Sequence, residues 1–166
     1  MSKYKFCPKC GGDLSLKNRS GRKRLTCQKC KFVFYQNAVP TVGAIIVKDG
    51  KVLLGKRAIE PYKNMWDVIG GILEVDESPE VGLARELKEE LGVGVVSIQL
   101  LGIKLGEYVY NPGYQKYALN LYYKVEIEGK LKAGDDIKEF RFFAPDEVPK
   151  KLAFNNNDEA IKEWFL

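Results

Sequence analysis

The segment Gly71–Val93, GILEVDESPEVGLARELKEELGV, packs seven acidic side chains around one arginine within 23 residues, and any fold of this chain must accommodate that charge. Its second half, Arg85 to Gly92, reads as a helix. Residues three or four apart share a helix face, which makes Glu86 and Glu90 neighbours one turn apart and puts Glu89 at the flank. Ala84, Leu87 and Leu91 keep helical apolar spacing on another side and predict the buried stripe. Like charges one turn apart destabilise a helix by about 0.2–0.5 kcal/mol per pair. A carboxylate cluster beside a buried face therefore calls for a counter-charge. A hard divalent cation suits it, because such ions take oxygen ligands from one or two carboxylates plus substrate phosphates. The first half of the segment is built to present the helix. Gly70-Gly71 allows close backbone approach. Asp76, Glu77 and Ser78 followed by Pro79 are helix-start chemistry, Glu80 adds charge that the helix dipole favours, and Gly92 is a stop. The expectation is a loop, a helix and a cap, with the carboxylates turned back toward the loop.

These residues follow the pattern G-x5-E-x7-R-E-U-x-E-E-x-G-U, where U is a bulky aliphatic. The chain matches it at Gly71, Glu77, Arg85, Glu86, Leu87, Glu89, Glu90, Gly92 and Val93. The pattern is the Nudix box, and on these nine positions residues 37–166 resemble a Nudix hydrolase domain. A solvated acidic face is the plain alternative, but such faces do not come with a loop, an arginine and glycines at fixed offsets. The resemblance implies an α/β fold, an α/β/α sandwich around a mixed sheet. It also implies Glu86, Glu89 and Glu90 as catalytic ligands of Mg²⁺ or Mn²⁺, with the Gly71 carbonyl as a further ligand. Arg85 is expected to pair with Glu77 and orient the loop on the helix.

The four cysteines form two C-x2-C pairs, Cys7/Cys10 and Cys27/Cys30, separated by sixteen residues. That spacing predicts an all-cysteine tetrahedral site for a structural Zn²⁺. Residues 1–36 accordingly read as a zinc ribbon, too small for a core of its own and dependent on the metal for folding energy. Its turn, Lys17 to Arg24, is the basic stretch behind the net charge of +5. Such a turn could touch RNA or an acidic substrate; a solvated turn is the preferred reading, and nucleic acid is not favoured as a partner. A zinc ribbon ahead of a Nudix domain resembles the NADH pyrophosphatase branch. That branch carries an S-Q-P-W-type run after the box, where this chain has Lys104-Leu105-Gly106-Glu107-Tyr108. Tyr110 sits seventeen residues past the box, similar to dinucleoside polyphosphate hydrolases, and Pro112 lies near the proline of ADP-ribose pyrophosphatases.

The chain has 166 residues and no histidine. The missing histidine excludes Ser-His-Asp and Cys-His nucleophile schemes and leaves carboxylates, Lys, Tyr or metal to do chemistry. No run of about 18 apolar residues marks a membrane span. The opening MSKYKFCPKC has no apolar signal core, so the expected compartment is the cytoplasm. Many proteins of this architecture pair as homodimers; no residue here specifies one.

After the connector Asn37–Pro40, strands are expected at residues 41–47 and 52–56 around a Lys48-Asp49-Gly50 turn, then at 95–107, 117–126 and 140–143. A short helix should begin at Pro145 and a terminal one should cover residues 156–165, with Ile161, Trp164 and Phe165 as its apolar side. Trp66 reads as core, and Asn155-Asn156-Asn157 as the cap of the last helix.

The chemistry asked of such a carboxylate set is cleavage of a phosphoanhydride, where cations offset repulsion between linked phosphates and the incoming nucleophile. The family resemblance offers Asp136 as a late catalytic carboxylate, six residues before Phe142, with Asp135 and Glu139 competing for the role. Arg57 resembles the family's phosphate-contacting arginine, and Tyr62 and Phe154 are the better candidates for stacking a base of the substrate. The expected substrate is a small nucleotide: a nucleoside diphosphate linked to another moiety, such as ADP-ribose, NADH or a dinucleotide. A nucleoside triphosphate or RNA-cap hydrolase is the alternative within enzymes. A nucleic-acid-binding ribbon on an inactive scaffold is the alternative of another class, against which the intact carboxylate set argues. An isoprenoid diphosphate isomerase would need a cysteine that the ribbon already claims.

Overall fold

A computed structural model describes residues 4–111 and 114–166, without the side chains of residues 108–116. Tyr110, Pro112 and Tyr114 therefore fall outside the described side chains. The chain divides into two compact units, residues 1–37 and 38–166.

The first unit is a three-stranded antiparallel sheet of β1 (Leu14–Arg19), β2 (Arg22–Cys27) and β3 (Val33–Phe34), in that order. Its interior is thin: Cys7, Leu25, Thr26 and Cys27 are the buried side chains, two of them cysteines. Tyr4 packs on Phe34 with ring centroids 4.7 Å apart.

The second unit begins with β4 (Val39–Ile45), so the expected connector is half strand: Val39 and Pro40 already pair with the ninth strand. It continues through β5 (Val47–Lys48), β6 (Lys51–Arg57) and β7 (Trp66–Asp67). Asp49 and Gly50 at the β5–β6 hairpin both adopt positive φ, +51° and +69°, as a two-residue Asp-Gly turn requires. Then come α1 (Pro79–Leu91), β8 (Gly94–Asn111), β9 (Tyr114–Glu128), β10 (Ile137–Phe143), a 3₁₀ turn at Pro145–Glu147 and α2 (Asn155–Trp164). β4 runs parallel to β9, which is antiparallel to β8; β6 lies between β10 and β5, with β7 also paired to it. Bridges Thr41–Ile72 and Ala44–Ile69 tie β4 to the strand that leads into the box loop.

Strand alternation assigns the layers. Ala44, Ile46, Leu53 and Ile69 face a core completed by Leu83, Leu87 and Leu91 of α1. Their sequence neighbours Ile45, Val52, Leu54 and Val68 face a second core completed by Leu152, Ala160 and Ile161, the last two from α2. Successive side chains of a strand point to opposite faces, so a strand buried on both sides reads as a continuous apolar run. The result is an α/β/α sandwich with a mixed sheet. The apolar stripe of α1 is Leu83-Leu87-Leu91, each 0 % exposed, and not the expected Ala84, which is half-buried. Leu83 lies four residues before Leu87 and eight before Leu91, and its larger side chain fills the core that the spacing rule assigned one position late. Trp66 is half-buried and meets Phe143 edge-on with centroids 4.8 Å apart. No described helix is long and apolar enough to cross a membrane.

Candidate active site

Helix α1 starts where its cap chemistry says it should. Ser78 is the N-cap, its hydroxyl accepting from the Val81 amide; Pro79 opens the first turn and Gly92, at φ +69°, ends the helix. Wound this way, α1 buries Glu86 (9 % exposed) and Glu90 (4 %) together with the leucine stripe, and leaves Glu89 exposed at the flank. The loop closes down on them. The Gly70 amide donates to Glu90 Oε2 at 3.0 Å. A side chain at Gly71 would collide with the Glu86 carboxylate, whose Oε2 would stand 2.8 Å from its Cβ. The Gly71 carbonyl accepts the Val42 amide at 2.9 Å and keeps its second lone pair.

Arg85 is the hub of the acidic cluster. Its Nε lies 2.6 Å and its Nη2 3.0 Å from the two oxygens of Glu77, Nη1 reaches Glu86 at 2.8 Å and Glu89 at 3.0 Å, and Nη2 also donates to the Ile72 carbonyl at 3.2 Å. This two-pronged pairing holds the Glu77 carboxyl down at about 2. Burial acts the other way on the inner pair: it pushes Glu86 up, and Glu90 well up, from the ordinary glutamate range. One guanidinium therefore leaves the two buried glutamates short of positive charge.

These groups line one cavity of about 410 Å³, along with Gly71, Arg57, Phe154, Asp135 and Asp136. Asp136 arrives from 46 residues beyond Glu90. The Lys132 and Gly134 amides donate to the Leu91 and Glu90 carbonyls at 2.9 Å, laying this segment along the end of α1, and the Asp136 carbonyl accepts from Ala58 at 2.7 Å. Burial, and then repulsion from Asp135, raise the Asp136 carboxyl. Glu139 turns away: it pairs with Lys56 at 3.3 Å, is exposed and does not line the cavity. Arg57 donates from Nε to the Pro61 carbonyl at 2.8 Å, and its guanidinium stands 5.3 Å from the Phe154 ring centroid. Tyr62 meets Phe154 edge-on at 5.1 Å but does not itself line the cavity, so it braces the ring from outside.

The cavity also holds residues that no motif in the sequence marks. Asp67 is 4 % exposed, 3.6 Å from Arg57 Nη1, and burial raises it to about 7. Asn157 Nδ2 donates to it, the Tyr122 hydroxyl donates to Asn157, and Asn156 donates to the Tyr122 oxygen. Thr41 donates to Asn120 at the same cavity. The expected role of Asn155–Asn157 as helix cap is thus wrong: Phe154 is the N-cap residue without a side-chain bond, and Asn156 and Asn157 are buried in this network. An asparagine run before a helix signals a cap by composition; only the strand-borne Asp67 and Tyr122 facing it turn it inward.

In the first unit, Sγ atoms of all four cysteines lie within 4.8 Å of one another, with Cys7–Cys30 at 3.7 Å and Cys10–Cys27 at 3.5 Å. Four sulfurs each about 2.3 Å from one Zn²⁺ stand about 3.8 Å apart, so the donor set fits that ion. The Lys9 amide donates to Cys7 and the Cys30 amide to Cys27, both at 3.4 Å, and the latter bond leads in drawing the Cys27 thiol down to about 6. Among the described residues, this is the only group of three or more Cys, Asp or Glu whose ligand atoms converge so closely. The glutamates share a cavity without such convergence. That suits a hard cation bound through one or two carboxylates, with substrate oxygens and water completing the shell.

Comparison with known proteins agrees with this geometry. Residues 38–165 match the family described as NUDIX domain, and residues 5–36 match the one described as Nudix N-terminal, a zinc ribbon. An ADP-ribose pyrophosphatase of Methanocaldococcus jannaschii is 35% identical over 135 residues, 81% of this chain and 77% of that protein. The NAD-capped RNA hydrolase NudC of Vibrio atlanticus is 35% identical over 98 residues, 59% of this chain; the matched part is 35% of that protein. The crystal structure of a NUDIX hydrolase from Nitrosomonas europaea superposes with a TM-score of 0.74 at 30% identity, covering 98% of this chain and 90% of that one.

Proposed function

The chain belongs to the Nudix hydrolase family, and from that premise we propose that it hydrolyses the phosphoanhydride bond of a nucleoside diphosphate linked to another moiety, with an adenylate half such as that of ADP-ribose or NADH. The observation that carries this reading is the pair of buried, charge-short glutamates, Glu86 and Glu90, locked by Gly70-Gly71 at the edge of a polar cavity.

Glu86 and Glu90, flanked by Glu89 and the Gly71 carbonyl, would hold Mg²⁺ or Mn²⁺. When bound, such cations supply positive charge against the pyrophosphate oxygens and favour attack by water. The remaining work falls to the chain. Arg85 holds Glu77 against the helix and keeps the loop in place. Asp136, raised by burial and by Asp135, accepts the proton of the attacking water. Arg57, anchored by the Pro61 carbonyl, meets a phosphate oxygen, and Phe154 offers an apolar wall to the base. Zn²⁺ in the ribbon is structural. A cytoplasmic location fits four cysteines left as free thiols and clustered for metal. A homodimer belongs to this reading only as a family expectation.

The test is a panel of ADP-ribose, NADH, dinucleoside tetraphosphates and nucleoside triphosphates, each with Mg²⁺ or Mn²⁺, read as phosphate after phosphatase coupling. Turnover led by ADP-ribose or NADH supports the proposal. Turnover confined to triphosphates would replace it, and RNA binding in a gel shift without any turnover would move the protein out of the enzyme class.

A further inference from the structure

One wall of the cavity is made of buried polar side chains that the proposed hydrolysis leaves without a task. Asp67, Tyr122, Asn156 and Asn157 are 4, 1, 5 and 8 % exposed. They come from β7, β9 and α2, and they form a single hydrogen-bonded chain with a direction. Side-chain amides can face either way, so the direction needs a cause, and Asp67 provides it.

An ionised carboxylate only accepts. The Asn157 atom facing Asp67 is therefore its amide nitrogen. Asn157 Oδ1 must then face the other way, where it accepts from the Tyr122 hydroxyl and, at 3.2 Å, from Asn156 Nδ2. Having given its proton to Asn157, the Tyr122 oxygen accepts from Asn156 Nδ2 as well. Both amide protons of Asn156 are now committed to the interior. Its Oδ1 meets no donor among the described residues. No fully buried side-chain oxygen is left unpaired among them either, so Oδ1 is the atom through which Asn156 reaches the open cavity. Gly106 leaves it room: any side chain there would run into the Asn156 amide. Phe154, two residues before Asn156, lines the same cavity and puts an apolar surface next to this acceptor.

Resting on the adenylate reading above, we propose that Asp67, acting through Asn157 and Tyr122, sets the hydrogen-bond polarity of this wall, so that Asn156 presents an acceptor and the cavity selects a nucleobase edge bearing an amino donor. Asp67 is here a positioning residue for specificity. A site whose buried polar atom waits for a partner rejects the analogue that lacks it, because that atom is then left unpaired.

The experiment is calorimetric binding to the full chain without divalent metal, comparing AMP with purine riboside 5′-monophosphate, which lacks the 6-amino group. The wild-type chain should bind AMP about tenfold more tightly. In Asp67→Asn, the new amide can offer a proton to Asn157 and reverse the whole chain, and the ratio should fall toward one. Tyr122→Phe removes the relaying hydroxyl and should do the same; it carries the test should Asp67→Asn fail to fold by circular dichroism. A merely structural role would weaken both nucleotides equally and leave the ratio intact, which overturns the proposal. Equal affinities in the wild type, or binding of neither nucleotide, overturn it as well. A retained AMP preference without hydrolysis of ADP-ribose would sink the proposed function and leave this inference standing.

Discussion

The two metal-type clusters solve opposite problems. In the ribbon, four sulfurs already stand at the spacing of one tetrahedral ion, in a unit whose buried side chains number little more than the cysteines themselves. In the second unit, the glutamates ride on a helix whose leucines are fully buried in a core, and an arginine holds them without drawing them to a point. The first arrangement is a closed site on which a small fold depends; the second is an open site that a fold already supports. The contrast teaches where stability and chemistry are kept apart. A metal that holds structure must have all its positions filled by protein, while one that serves a reaction must leave some for the substrate.

The largest effect should come from breaking the ribbon. Structural zinc contributes about 10–16 kcal/mol in comparable small sites. Cys27→Ser in the full chain should release the metal and abolish hydrogen-exchange protection across β1 and β2, measured by mass spectrometry, while amides of the second unit's core stay protected. Loss of protection in both units together would break the contrast.

Next is the helix that carries the glutamates. Leu87 is 0 % exposed, and Leu87→Ala should cost about 2–5 kcal/mol in urea unfolding through the lost contacts and the cavity left behind. The cost should be the same with EDTA or with Mg²⁺, because the core and not the cation supports α1. A cost that appears only in EDTA would place the second site with the first.

Glu90→Gln sharpens the comparison from the side of chemistry. Hydrolysis should fall about a hundredfold or more at saturating Mg²⁺. The thermal midpoint should hold or rise, since a buried carboxyl already pushed toward its neutral form is replaced by a neutral group. An unchanged rate would remove Glu90 from the reaction.

The smallest effect is a pH dependence. Arg85 lowers the Glu77 carboxyl from 4.5 to about 2. A carboxyl lowered in the folded state adds stability above its unfolded value and loses it as pH falls toward the folded one. The stability gap between wild type and Glu77→Gln should thus be full above pH 4.5 and close between there and about 2. A gap that widens on acidification would mean the pair does not stabilise the loop.

Features that depend on short spacing are legible in the amino-acid sequence itself. The N-cap at Ser78, the stop at Gly92, the inward glutamates, the Asp49-Gly50 hairpin and the cysteine knuckles each rest on chemistry within a few residues, which the backbone expresses locally. Spacing misleads where two adjacent positions satisfy the same rule: Ala84 and Leu83 both keep a helical interval with Leu91, and only packing against β4 and β6 chooses the bulkier. Tyr62 and Glu139 mislead for a related reason. An aromatic or a carboxylate near the cavity in sequence is turned away from it by a ring contact with Phe154 or an ion pair with Lys56.

The sequence alone therefore determined the family, the zinc ligands and the helix that bears the acidic cluster, because fixed intervals along one helix or one knuckle become fixed distances without help from the rest of the chain. Tertiary structure alone decided the polar wall. Asp67 and Asn157 are 90 residues apart, and neither looks unusual beside its own neighbours. Only when β7, β9 and α2 close around the cavity does burial give a carboxylate command over the amides that face it, because a desolvated polar group must take whichever partner the fold brings.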